Sequence, residues 1–177
     1  KKIQKIVKNR VLFSKQINEA LEGIYHKIFS TDALLKLEYE SRFVNLSSTQ
    51  IYYVLKSNRM TDIEARSSRL GPNRDEISLS FNGFNSIEFC SLGQQKTGYL
   101  GLLFAYIDLF RYKFNKYPIV LIDDLSGELD SVRLELLMNY LFEAKYQVIL
   151  TTANEKFKNS LSDRSVNLIN VNDGLFQ

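Results

Sequence analysis

"YPIVLIDDLSGELD", residues 117–130, is the stretch on which the reading of the fold turns. Four apolar residues, Ile119 to Ile122, run straight into two carboxylates, Asp123 and Asp124. A short, continuous apolar run bounded by turn-forming residues reads as a buried strand of a parallel sheet, because a strand covered on both faces has no polar side to alternate with. Its two acids then stand at the C-terminal edge, where open α/β sheets bind ligands. Adjacent side chains on a strand point to opposite faces, but past the strand end the backbone bends and both acids can approach one site. Asp123 is placed to hold Mg²⁺ through water, since this ion keeps much of its hydration. Asp124 is placed to orient or deprotonate an attacking water. The plainer alternative is a pair of acids capping a loop.

Around this stretch the pattern is regular. Asp130 is a suitable N-cap for a helix over 131–144. "QVILTT" at 147–152 is a second apolar strand, and strand–helix–strand with short connections implies a right-handed crossover. "VNLINV" at 166–171 alternates, and Asn172-Asp173-Gly174 is expected to turn it. Upstream, a helix from about Gly93 to Asn115 carries Leu100, Leu103, Phe104, Ile107 and Phe110 on one stripe. It opens on "SLGQQK", residues 91–96. Ser91 can cap it, Gly93 lets a ligand approach the backbone, and a helix N-terminus offers free N–H donors with positive dipole character. That combination suits a phosphate, although each part is also what an ordinary capped helix needs.

Further upstream, Ile3, Ile6, Val7, Val11, Ile17, Leu21, Ile24 and Ile28 recur at helical spacing, with a break near Gly23 as an alternative. "LLKLEYE" (34–40) reads as a strand and "TQIYYVLKSN" (49–58) as a helix. "SSRLGPNRDE" (67–76) is turn-forming, and "ISLSFNG" (77–83) alternates and ends in Asn-Gly, a hairpin signal. Arg74 and Asp75 read as a structural pair, with contact from Arg74 to nucleotide or DNA as the alternative. Tyr52 and Tyr53 read as packing residues rather than a base-stacking pair. His26, on a helix with apolar neighbours, reads as structural.

The 177 residues, 45% apolar and 24% charged, describe a globular protein with a real core. A single cysteine, Cys90, excludes an internal disulfide and points to a reducing, cytoplasmic compartment. The chain carries no apolar run of membrane-spanning length. Charge is uneven: residues 1–36 hold eight Lys/Arg against three acids, so Lys1, Lys5 and Lys8 become candidates for contact with a nucleic-acid backbone. A solvated helix face is the plainer reading.

Taken in order, Ser91-Leu-Gly-Gln-Gln resembles the signature motif of the ABC ATPase superfamily, in the form found in the RecF family. "GPNRDEISLSFNG" resembles the Gly-Pro-His-Arg-Asp segment of that family, with Asn73 in place of His. "LLKLEYES" and "NRVLFSKQINEALEGIYHKIF" are similar to segments upstream of it. The resemblance covers nearly the whole chain and matches the C-terminal half of RecF. It implies the C-terminal part of an α/β ATPase head over 66–177, with a mostly parallel sheet, and part of a helical second lobe over 1–65. Asp123 and Asp124 then correspond to the Walker B acids, and Leu129-Asp130 to the D-loop. By the same resemblance Ser91, Gly93, Gln94, Gln95 and Asp130 are expected to contact ATP, with Thr152 or Asn154 as the candidate for sensing its γ-phosphate. The family's members are DNA repair ATPases that bind ATP and DNA, dimerise on ATP and act with RecO and RecR at single-strand gaps.

A phosphate loop of the form Gly-x₄-Gly-Lys-Ser/Thr is not found in the chain. Gly93 and Gly98 have the right separation, but Tyr99 and Leu100 follow them. The chain by itself is therefore expected to bind ATP poorly or not at all. A rival reading is a non-catalytic DNA-binding or partner-recruiting module with a vestigial site; another is a different ATPase related to SMC or defence proteins.

Overall fold

The computed structural model describes residues 1–29, 32–124, 129–154, 157–158, 161, 166–172 and 175–176. The chain begins with one long helix, α1 (Lys2–Phe29), which runs through Gly23 without a break. Its C-terminal half is deeply buried at Ile17, Leu21, Ile24, Tyr25 and Ile28. Nearer its start Ile6 and Val11 are exposed and only Val7 is buried. Strand β1 (Leu35–Glu40) follows and alternates as its sequence does, with Leu35 and Leu37 buried. Helix α2 (Ser48–Ser57) starts on a reciprocal cap between Ser47 and Gln50, and α3 (Arg59–Glu64) continues from it.

Strand β2 (Glu76–Phe81) pairs antiparallel with β1 along its full length, Leu35 opposite Phe81 and Glu40 opposite Glu76. The Asn82-Gly83 hairpin forms as expected, with both residues at positive φ, and returns into β3 (Phe84–Asn85). The sheet order is β1-β2-β3. After the single turn α4 (Ser86–Phe89) comes α5 (Leu92–Phe114), ended by Asn115 in the left-handed conformation. Helix α5 lies against both α1 and the antiparallel sheet. At Gly98 an added Cβ would stand 2.9 Å from Phe81 Cζ, and at Gly101 2.8 Å from Tyr25 Cδ2, so these glycines permit the close approach. The Gly93–Gly98 pair thus lies inside a helix and forms no loop.

Strand β4 (Val120–Ile122) pairs parallel with β5 (Val148–Leu150) across helix α6 (Ser131–Phe142), the expected crossover unit. The strand is shorter than the apolar run. It is also not buried on both faces: Val120 and Ile122 face the core, whereas Leu121 is 71% exposed beside Ile149. The reason is that the described helices cover only one face of the pair. Residues 166–170 form no strand; β6 (Val171–Asn172) pairs antiparallel with β7 (Leu175–Phe176), and the turn expected at 173–174 lies outside the described residues.

One core cluster joins α1, β1, β2, α5, β4 and α6 through residues such as Leu21, Leu35, Phe104, Ile122 and Leu137. A smaller cluster of Val7, Phe43 and Ile51 holds α2 against the start of α1. Sheet pairing and the larger core therefore run across residue 65.

Two further sequence expectations change. Asp75 is not paired with Arg74. Its side chain, 2% exposed, accepts from Arg10 Nη1 at 2.7 Å and from the Tyr39 hydroxyl at 2.6 Å, because the turn over Pro72–Arg74 aims it at α1 and β1. Arg74 instead donates to the Ser68 carbonyl at 3.1 Å. Tyr52 and Tyr53 do not pack into the core. Both are more than half exposed on α2 and meet each other edge-on, with ring centroids 5.6 Å apart.

Candidate functional site

The parallel register places the residues that follow β4 opposite those that follow β5. Ile122 faces Leu150, so Asp123 emerges beside Thr151, and the Thr151 amide donates to the Ile122 carbonyl at 3.0 Å. The Thr151 hydroxyl donates to Asp123 Oδ1 and accepts from the Asp124 amide at 3.1 Å. One hydroxyl thus ties down both acid residues. Asp124 itself has φ 43°, left-handed backbone that a non-glycine residue adopts only when its surroundings hold it. Both acids are exposed at the sheet edge.

The start of α5 supplies the second part. Ser91 Oγ accepts from the Gln94 amide at 3.3 Å, and Gln94 Oε1 accepts from the Ser91 amide at 2.9 Å. This reciprocal capping box fixes the helix entry. Gln95 turns back to donate to the Cys90 carbonyl at 3.0 Å. Further along the helix, Lys96 Nζ donates to the Asp124 carbonyl oxygen at 2.8 Å. Thr97 is fully buried; its hydroxyl donates to the Gln94 carbonyl and meets the Tyr25 hydroxyl at 3.1 Å. The first turns of α5 are therefore held to α1 on one side and to the acid loop on the other.

The remaining expected site residues make local contacts. Asp130 caps α6, accepting from the Arg133 amide at 2.9 Å and from its guanidinium at 2.8 Å, and these bonds hold its carboxyl below the ordinary range. Thr152 Oγ1 accepts from the Asn154 amide at 3.1 Å, and Asn154 Oδ1 accepts from the Phe157 amide at 3.2 Å. Thr151, which precedes them, is the residue whose hydroxyl meets both acid residues. Residues 125–128 of the segment between the acids and Asp130 lie outside the described residues. Lys1, Lys5 and Lys8 are exposed on α1. His26 is exposed near the end of α1, 3.8 Å from the Asp32 carboxylate.

The described residues include no group of three or more His, Cys, Asp or Glu side chains able to cage a metal. That pattern still suits Mg²⁺ bound together with a nucleotide, which needs one or two carboxylates, phosphate oxygens and water. Asp123 fits such a site, since Thr151 engages one carboxylate oxygen and so orients the group.

Sequence reasoning missed Thr151 and Lys96. Thr151 follows from the register once the two strands are taken as parallel neighbours, for it stands one residue past Leu150 as Asp123 stands one past Ile122. Nothing in the sequence marks Lys96, because its partner is a main-chain oxygen 28 residues away.

No family model matches the chain. It is 32% identical over 172 residues to the DNA replication and repair protein RecF of Clostridium botulinum (strain Okra / Type B1), which covers 96% of this chain and 47% of that protein. RecF of Clostridioides difficile (strain 630) is 27% identical over 170 residues, 92% of this chain and 45% of the relative. The chain spans about half the length of the curated relatives it matches. Among solved structures, the recombination mediator RecF in its ATPrS form superposes with a TM-score of 0.75 at 20% identity, over 98% of this chain and 46% of that one. A structure from work on ATP-driven dimerisation and DNA-stimulated activation of SMC ATPases superposes with a TM-score of 0.55 at 17% identity, over 98% and 86%. These neighbours share the fold, an α/β arrangement with a parallel strand pair and flanking helices. No helix among the described residues is long and apolar enough to cross a membrane.

Proposed function

Because the chain is homologous to RecF over a span consistent with its C-terminal half, we propose that it forms part of a DNA replication and repair ATPase whose ATP site is shared between two copies. The observation that carries this reading is the Thr151 clasp, which sets Asp123 and Asp124 side by side at the end of a parallel strand, with the capped start of α5 tied to Asp124 through Lys96. Asp123 would hold Mg²⁺, which supplies positive charge to the phosphate oxygens when bound. Asp124 orients the attacking water and accepts its proton. The Ser91–Gln95 helix start offers the Ser91 hydroxyl and backbone donors to a γ-phosphate held by the other copy. Asp130 and either Thr152 or Asn154 complete the surroundings of that phosphate.

The phosphate loop must come from another segment, and the relatives are twice as long as this chain. Ile119, Leu121 and Ile149 form an exposed apolar strip on the strand pair, the kind of face that a further element of such a head covers. The division into lobes near residue 65 is proposed in the same spirit, with the second half of α1 and β1 bridging the two. DNA is the proposed partner of the exposed Lys1, Lys5 and Lys8 face, RecO and RecR are proposed as protein partners, and the proposed location is the cytoplasm.

The experiment uses the assembled protein, meaning this chain together with a half that carries the phosphate loop. Ser91→Arg should leave ATP binding in place and abolish ATP-dependent dimerisation and turnover. Dimerisation at the wild-type level would remove the shared-site reading. Asp123→Asn with turnover and DNA loading unchanged would favour the non-catalytic module.

A further inference from the structure

Lys96 lies in the early part of α5, a little over one turn past Ser91, and reaches across to the acid loop. Its ammonium donates to the main-chain oxygen of Asp124 at 2.8 Å, while the amide of the same residue donates to Thr151 at 3.1 Å. The peptide groups on either side of a residue at φ 43° are thus both fixed, one by a neighbouring strand and one by a helix. A left-handed aspartate is unfavourable in isolation and persists when both flanking peptides are held. Thr151 alone fixes the amide side. Rotation about the Asp124 Cα–C bond, which sets where its carbonyl points, is restrained by Lys96. The lysine is itself positioned from below, since α5 is pinned at its start by the capping box and at Thr97 by the buried contact with Tyr25.

We propose that Lys96 is a positioning residue for the acid pair, holding Asp124 in its left-handed backbone conformation and tying it to the helix start that meets the partner's phosphate. This rests on the ATPase reading above. A cation is suited to the task because a hydrogen bond from a charged donor is stronger than a neutral one, and the long lysine stem spans the gap from helix to loop.

The test compares Lys96→Met and Lys96→Arg in the assembled protein by two readouts. The first needs no activity: hydrogen–deuterium exchange of a peptide spanning 119–130 without nucleotide. Lys96→Met should exchange roughly tenfold faster there, and Lys96→Arg should stay near wild type. The second is steady-state turnover. Lys96→Met should lower kcat about tenfold with KM within a factor of about two, and Lys96→Arg should recover most of it. Unchanged exchange in Lys96→Met overturns the proposal, as does a fall in kcat that arginine does not rescue. A wild-type protein with no turnover would refute the ATPase reading instead, and the exchange result would still decide the role of Lys96.

Discussion

Replacing Thr151 with valine keeps the shape of the side chain and removes its hydroxyl. Two bonds disappear together, the one donated to Asp123 Oδ1 and the one accepted from the Asp124 amide. Each is exposed, so water takes over part of the lost bonding and the net contribution is about 1 kcal/mol per bond. If that ~2 kcal/mol of positioning is expressed in the transition state, turnover falls by roughly 10- to 30-fold, since about 1.4 kcal/mol corresponds to a factor of ten. The same ~2 kcal/mol, taken from the folded state, should lower the unfolding midpoint by about 4–8 °C. The assay is steady-state ATP hydrolysis by the assembled protein, with ATP binding measured separately by titration. Thr151→Ser retains the hydroxyl and should keep turnover within a few-fold of wild type. A valine variant that hydrolyses ATP at the wild-type rate, or a serine variant as impaired as valine, would refute the clasp.

Asp75→Ala should lower stability by about 2–3 kcal/mol in a denaturant titration, because it removes the buried acceptor shared by Arg10 and the Tyr39 hydroxyl. Gly101→Val should destabilise at least as much, as its side chain would run into Tyr25, Leu35 and Leu21; a neutral result would mean that α5 sits further from α1. Burial raises the pKa of Tyr25, Tyr39, Tyr140 and Tyr146 above the ordinary value of 10.0. The fold therefore favours their neutral form, so this contribution is complete below pH 10 and is lost as pH rises above it. Absorbance titration should find these four of the ten tyrosines ionising late, in step with alkaline unfolding.

Much of this architecture was legible in the residues. The apolar period of α1, the Asn82-Gly83 hairpin and the strand–helix–strand unit around α6 are each dictated by local chemistry, and each appears where its signal lies. The two acids and the Ser91 cap were likewise visible, because a carboxylate at a strand end and a serine before a helix are short-range features. What failed was non-local. The burial of β4 depends on what covers its second face, and the place of Tyr52 and Tyr53 outside the core is not revealed by any pattern in α2. Asp75 found Arg10, 65 positions away, in place of its chain neighbour. Thr151 and Lys96 acquire their roles only after β5 has paired with β4 and α5 has packed beside the loop. Contacts made by tertiary pairing leave little trace in a single sequence, even when they organise the site.

The most direct measurement mixes two inactive variants of the assembled protein, Ser91→Arg and Asp124→Asn, and follows ATP turnover. If each site takes its acids from one copy and its helix start from the other, every mixed dimer contains one intact site. The mixture then regains turnover that neither variant shows alone, because only the mixed pair holds a whole site while two Ser91→Arg copies do not dimerise. If the Ser91 helix and the acids serve the same nucleotide within one copy, neither partner supplies a complete site, the mixture stays inactive, and the shared-site account is contradicted.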